Sequence, residues 1–350
     1  MKKIFALTLS LLLLLPLAGC AEDESRPREK IGGVHTEIGD VYPTDFLSFN
    51  GKSVEFDEFR YYYLNYKNMY LEEDKDYFQK DGTEEALKEE ILRCLLDSWA
   101  VRFLAEDYKV KLNQEELEAI EKDIGETVDF YSGEESFNKS LAESYMSRDL
   151  YRYMMEYSSL YMKLFNTLFA EGGKMAWSDK EFYDYYQEHY VAVLQIFIPY
   201  EENESKESHD KTLSTANSVY DKAKSGEDFW ELVQEYGKDD NMLDYPDGYY
   251  FTQGEAEDVL YEASVALKEG EISVPISGEA GLYIIKRMEM RELRMNENRE
   301  TALFGYTDSL GQWHGGAYDT VFRELYEKKA DKIKVKYGDI WKTITTETVY

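Results

Sequence analysis

The chain has 350 residues, and its most reactive side chains are scarce: two cysteines and four histidines. Cys20 stands at the end of Leu17-Ala-Gly-Cys20, behind a basic start, Met1-Lys-Lys3, and an apolar run over residues 4–15. That order matches a lipoprotein signal, in which the leader is removed and the cysteine is diacylated as the new N-terminus. Two acyl chains give the stable attachment that one does not. Cys94 falls on the apolar stripe of a helical segment and reads as core, which leaves no pair for a disulfide in the mature chain. His35, His189, His209 and His314 have no spacing that would bring them to one metal, so neither metal nor cofactor is expected. There is no G-x-S-x-G and no phosphate-cradling glycine loop. Lys238-Asp-Asp240 reads either as a solvated turn or as a place where a carboxylate acts electrostatically.

The elements around that turn are compact. Residues 192–199, AVLQIFIP, form an apolar strand-like run, followed by an acidic loop. A helical segment over residues 213–236 is broken at Gly226-Glu-Asp-Phe-Trp230. A turn at Pro246-Asp-Gly248 leads to a short aromatic strand and a second helix over residues 258–268. Gly270-Glu-Ile-Ser-Val-Pro-Ile276 and Gly281-Leu-Tyr-Ile-Ile-Lys286 read as two closing strands. Two helices and several strands in under a hundred residues make a small α+β domain.

The phrases GEDFWELVQEYGKD, FTQG, ASVALKEGEISVPI and GLYIIKR, in this order, resemble a parvulin-type peptidyl-prolyl isomerase. The resemblance implies a proline-binding cavity above a hydrogen-bonded sheet, and it assigns positions. Parvulins usually carry a histidine in the first strand and another in the last; those positions here are Gln195 and Tyr283. The acid-or-cysteine position is kept as Asp239. The methionine and phenylalanine of the proline pocket fall on Ala256 and Leu260, four apart and read as one helix face, and the aromatic after the turn falls on Phe251. Glutamine and tyrosine can still donate and accept hydrogen bonds. The two pocket changes remove volume and aromatic surface, so the expected isomerase activity is weak or lost. Phe251, Ala256 and Leu260 are also compatible with plain core. The loop after the first strand carries Glu201, Glu202, Glu204 and Glu207, which would repel a phosphorylated substrate.

Before residue 190 the chain is mostly helical. Phe46-Leu-Ser-Phe-Asn-Gly-Lys-Ser reads as two short strands joined at Asn50-Gly51. Phe59, Tyr62, Tyr63, Tyr66 and Tyr70 line one helix face, and Leu87, Ile91, Leu95, Trp99 and Leu104 line another. Asn113 with Glu116, and Ser178 with Glu181, are capping-box signatures. Residues 137–172 read as a single long helical stretch. After residue 290 a polar, glycine-dotted connection runs to Gly316, then a helix over 317–330 and a strand over 333–337. FNGKSVEFDEF, VKLNQEELEAI and WSDKEFYDYYQEHY resemble the helical module of extracytoplasmic foldases of the PrsA and SurA type. That resemblance implies that the C-terminal segment returns to complete the module around an inserted parvulin domain.

The expected organisation is a signal over residues 1–19, a lipidated flexible tether over 20–44, a helical module over 45–190, a parvulin-like domain over 191–290, and a linker with closing helix and strand over 291–350. The fold class is α+β. Formal charge is −31, and −33 once Lys2 and Lys3 leave with the leader, which makes a nucleic-acid partner unfavourable. The resemblance points to unfolded or partly folded secreted proteins as partners, with the membrane reached through the N-terminal lipid. Neighbouring tyrosines such as Tyr61-Tyr-Tyr63 point to different helix faces and cannot all enter one core; they hint at a client surface. The competing reading is a non-catalytic surface adaptor that binds one fixed protein.

Overall fold

The computed structural model describes residues 30–201 and 206–350. The signal, Cys20 and the start of the tether lie outside the described residues. The chain divides into two compact units, one made of residues up to Ala176 together with Thr320–Tyr350, the other Trp177–Asp319. Among the described residues no helix is long and apolar enough to cross a membrane.

The first unit opens with a hairpin, β1 (Val34–Thr36) and β2 (Gly39–Val41). This corrects the flexible reading of residues 30–44. Val34 is fully buried and bridges Val349, and the His35 amide donates to the Thr348 carbonyl at 2.8 Å. The partner strand comes from the far end of the sequence, so no local period announces it. Next come β3 (Leu47–Phe49) and β4 (Lys52–Ser53), turned through Asn50 and Gly51, both at positive φ as a tight two-residue hairpin requires. The strand Val335–Tyr337 pairs antiparallel with β3 on its other side. A contact nearly 300 residues apart thereby closes the unit.

Helices α1 (Phe56–Glu73) and α2 (Thr83–Tyr108) pack their apolar stripes on this sheet. Phe46, Phe49, Phe56, Phe59, Tyr63, Ile91 and Leu95 are each fully buried in one core, with Tyr62, Tyr66 and Tyr70 half-buried around it. Cys94 joins that fringe: its thiol lies 3.6 Å from the Tyr66 hydroxyl, and burial pushes its pKa up, away from reactivity. α3 (Gln114–Phe130) starts on a complete capping box, Glu116 N–H to Asn113 Oδ1 at 2.9 Å and Asn113 N–H to Glu116 Oε2 at 2.7 Å. Asn113→Ala should lower stability by about 1 kcal/mol. Thermal melting monitored by circular dichroism would register it as a drop of a few degrees.

The long stretch expected over residues 137–172 is instead two helices, α4 (Glu134–Glu143) and α5 (Arg148–Phe169). The break needs neither glycine nor proline. Tyr145 takes a left-handed conformation, and the Ser147 hydroxyl accepts the Leu150 amide, capping a new helix rather than continuing the old one. A buried polar group ties α1, α2 and α5 together. Glu58, 2% exposed, meets the Arg102 guanidinium at 3.4 Å and accepts the Tyr153 hydroxyl at 3.1 Å, while Arg102 lies 4.3 Å above the Tyr153 ring. Several tyrosines thus serve as hydrogen-bonding core rather than exposed surface.

The second unit begins with α6 (Asp179–His189), capped by the Ser178–Glu181 box, and runs directly into β5 (Tyr190–Pro199). α7 (Lys206–Ser225) and α8 (Phe229–Tyr236) follow, parted at Gly226. Then come β6 (Tyr249–Thr252), α9 (Asp258–Ala266), β7 (Ile276–Ser277) and β8 (Gly281–Arg287). The sheet is antiparallel in the order β6-β5-β8-β7, with Gln195 opposite Ile285 and Phe197 opposite Tyr283. Strand alternation sends Leu194, Ile196, Ile198, Leu282 and Ile284 to one face, where they pack with Val219, Phe229 and Leu232 of α7 and α8. Val193, Gln195, Phe197 and Tyr283 therefore face the other way.

The polar connection expected over residues 291–316 is in fact structured, as α10 (Glu292–Glu297), α11 (Arg299–Phe304) and a hairpin of β9 (Tyr306–Thr307) and β10 (Trp313–His314). Several of its polar residues bond to α6. Asn298 donates to the Tyr186 hydroxyl at 2.9 Å, and Arg299 pairs with Asp179 at 2.7 Å while covering the Phe182 ring at 4.3 Å. These bonds place α6 and residues 291–319 with the second unit, so the compact division falls at 176/177 and 319/320, outside the 191–290 bounds expected for the parvulin-like domain, which lies within that unit.

Candidate active site

A cavity of about 420 Å³ opens on the sheet face opposite α7 and α8. Its floor is β5 and β8, one wall is the 3-10 turn Asp240–Asp244, and the other is β6 with the start of α9. Gln195, Asp239, Phe251, Ala256, Leu260 and Tyr283 all line it. The structure brings the six sequence-derived positions to one place.

Gln195 projects from the middle of β5, and its Nε2 donates to Asp239 Oδ2 at 2.7 Å. The turn and the carboxylate are each held once more. The Lys238 amide donates to the Phe197 carbonyl at 2.9 Å, pinning the turn against β5, and the Asn241 amide donates to Asp239 Oδ1 at 3.1 Å. Asp239 is half-buried, between an exposed Lys238 and an exposed Asp240. Tyr283 donates its hydroxyl to Glu257 Oε1 at 3.3 Å, and Glu257 Oε2 accepts the Glu279 amide at 2.8 Å. Burial, then the charges of Glu257 and Asp239, push the Tyr283 pKa up to about 12. The phenol therefore stays a neutral donor at any physiological pH. Gln195 and Tyr283 each bond to a carboxylate.

Phe251 is 2% exposed and packs with Val191, Val193 and Ala256, so it is both core and cavity wall. Ala256 does not share a helix face with Leu260. It precedes Glu257, the N-cap of α9, while Leu260 sits in the first turn with 5% of its surface exposed. The glycine at 254, with φ of +90°, and the extended Glu257 break the helical period that the spacing of four suggested. Removing the Tyr283 hydroxyl tests how much the phenol matters. Tyr283→Phe leaves the Glu257 carboxylate short of a donor, so the affinity for a proline peptide should fall by about tenfold, the low end of what a hydrogen bond to a charged group is worth. Titration by heteronuclear NMR would measure it.

A family model described as the PPIC-type peptidyl-prolyl isomerase domain matches residues 183–291. The Foldase protein PrsA of Oceanobacillus iheyensis is 28% identical over 193 residues, 55% of this chain and 58% of that one. The Foldase protein PrsA of Bacillus subtilis is 31% identical over 133 residues, 38% of this chain and 44% of that one. Residues 183–291 match a parvulin-type domain, and the chain is similar to PrsA foldases. It spans about half the length of the curated relatives it matches. Among solved structures, the parvulin of Nitrosopumilus maritimus is 30% identical, over 29% of this chain and 97% of that one, with a TM-score of 0.23.

The parvulin cavity also holds residues that sequence reasoning missed: Met242, Tyr245, Tyr249, Glu255 and Glu257. Tyr249 was within reach, because it is two positions from Phe251 on one strand and must share its face. Glu257 was not. Its partners, the Tyr283 hydroxyl and the Glu279 amide, lie on distant elements, and no local pattern brings them together. Glu255 is likewise committed by distant groups, accepting the Thr252 amide at 2.9 Å and the Tyr306 hydroxyl at 3.0 Å.

Proposed function

We propose that this chain is an extracytoplasmic foldase, held at the membrane surface by lipid on Cys20. In this reading its parvulin domain binds prolyl peptides and isomerises them slowly, and its helical unit holds unfolded segments. The observation that carries the catalytic part is the juxtaposition, in one cavity, of the Gln195–Asp239 pair with the apolar wall of Phe251 and Leu260. Isomerisation breaks no covalent bond, so the site need only bind the twisted amide better than either planar form. An apolar wall can hold the prolyl ring while fixed donors and acceptors meet the turning peptide group. Ala256 and Leu260 leave that wall shallow. The loss of two larger side chains removes enough apolar contact to cost about tenfold or more in turnover of a bound proline. The relatives' name, foldase, supports the wider role. So do Phe130 and Met162, which stand 65% and 51% exposed on the helical unit as adaptable apolar contacts.

Exchange spectroscopy on an Ala-Pro peptide tests the catalytic part. The expected result is measurable exchange at least about tenfold below that of a parvulin retaining both histidines. A rate equal to that parvulin would remove the argument from the shallow wall. Cys20→Ser tests the anchor, and should move the protein out of the membrane fraction or leave its leader uncleaved. Detergent-requiring attachment that survives the substitution would rule the lipid out.

A further inference from the structure

The cavity has a chemical character that no proline ring needs. Four of its lining side chains are carboxylates, Asp239, Asp244, Glu255 and Glu257, and none is lysine, arginine or histidine. Three of them cannot swing away. Asp239 is held by Gln195 and the Asn241 amide, Glu255 by Tyr306 and the Thr252 amide, and Glu257 by Tyr283 and the Glu279 amide. Asp244 is exposed at the rim. Beside it Tyr245 and Tyr249, with ring centroids 5.2 Å apart, border the same space and offer aromatic faces. Fixed carboxylates in a concave, partly apolar site concentrate negative potential, and aromatic faces favour a cation further.

On the reading of this cavity as a prolyl-peptide site, we infer that it selects peptides carrying lysine or arginine next to the proline. The prolyl ring takes the apolar end at Phe251 and Leu260, and the neighbouring cationic side chain takes the acidic and aromatic end. The hydrocarbon stem of lysine or arginine suits such a path, since it lies along apolar surface while the charged head reaches the carboxylates. Glu255 and Asp244 are assigned as specificity-determining residues. Tyr306 is a positioning residue, acting through Glu255; it belongs to the hairpin beyond the end of the matched family domain.

The test uses blocked tetrapeptides, acetyl-Ala-X-Pro-Ala-amide with X as lysine, arginine, alanine or glutamate, and a control with lysine but alanine in place of proline. Binding is followed by NMR titration of the whole mature protein at two ionic strengths. The lysine and arginine peptides should bind about tenfold tighter than the glutamate one, as a few partly exposed charge contacts of ordinary size add up to. The proline-free control should bind weakly, which separates the site from the general attraction of an acidic protein. The preference should shrink at high salt. Glu255→Gln with Asp244→Asn should flatten it, and Tyr306→Phe should reduce it while alanine-peptide affinity stays put. Asp244→Asn alone, at an exposed position, keeps the comparison meaningful should the double variant fold poorly. Equal binding of all four proline peptides would overturn the charge preference and leave the proline site standing. Tight binding of the control equal to that of the lysine-proline peptide would also overturn it. No binding of any proline peptide would overturn the site and the preference together.

Discussion

Rebuilding the wall of the cavity with Ala256→Met and Leu260→Phe should raise kcat/KM on an Ala-Pro peptide by about tenfold. Restoring the two histidines with Gln195→His and Tyr283→His should do less. The difference follows from how each pair is now engaged. Ala256 and Leu260 border about 420 Å³ of open cavity, so larger side chains there gain contact with a prolyl ring, although Leu260, 5% exposed, also packs into the core. Gln195 and Tyr283 are already committed, one to Asp239 at 2.7 Å and the other to Glu257 at 3.3 Å. Imidazoles at those positions would have to take over both carboxylates. A histidine that failed to reach Glu257 would leave a half-buried acceptor short of a donor, which costs more than the new bond returns. Steady-state rates for the two double variants, measured side by side, decide the matter. Histidine restoration outperforming wall restoration would place the defect in the hydrogen-bond network instead. A melting temperature within a few degrees of the parent would show that Phe at 260 fits without overpacking.

The parts of this molecule that a sequence exposes are those set by neighbours along the chain. The stripes of α1 and α2, the turn at Asn50-Gly51 and the capping boxes at Asn113 and Ser178 all stand where the local pattern puts them. The same holds for the two faces of β5, because strand alternation alone separates Gln195 from Leu194 and Ile196. What escaped was decided by partners far away. Residues 30–44 fold because Val349 and Thr348 are there to pair with them. Residues 291–316 read as connection because their polar side chains suit water as well as they suit α6. The split between α4 and α5 turned on one serine that could cap or continue, and propensity does not choose between those outcomes. In the cavity, the six positions came from a resemblance that preserves order and spacing. Glu257, the carboxylate that binds Tyr283, came only from the three-dimensional path.

Excising Trp177–Asp319 and joining Ala176 to Thr320 should leave a cooperatively folding, mainly helical protein that has lost all proline turnover. The cut ends are compatible with a short linker, because the Trp177 amide donates to the Tyr318 hydroxyl at 2.8 Å within the excised unit. About six flexible residues would span the gap. Everything that closes the remaining unit stays in place. Val335–Tyr337 still pairs with β3, and Phe322 still packs its ring against Tyr161, Phe165 and Phe169 at 4.9 to 6.0 Å. Far-ultraviolet circular dichroism on heating should show one transition. The shortened chain should also keep most of the ability to suppress aggregation of an unfolded, proline-poor client, followed by light scattering. The isolated 177–319 unit should fold on its own sheet and keep the peptide binding, yet protect the client little, since its apolar surface is largely spent on its own core. Full protection by 177–319, with none from a well-folded shortened chain, would move the holding function from the helical unit to the parvulin unit. A shortened chain that melts in two steps would show instead that the 320–350 segment needs the parvulin unit to find β3.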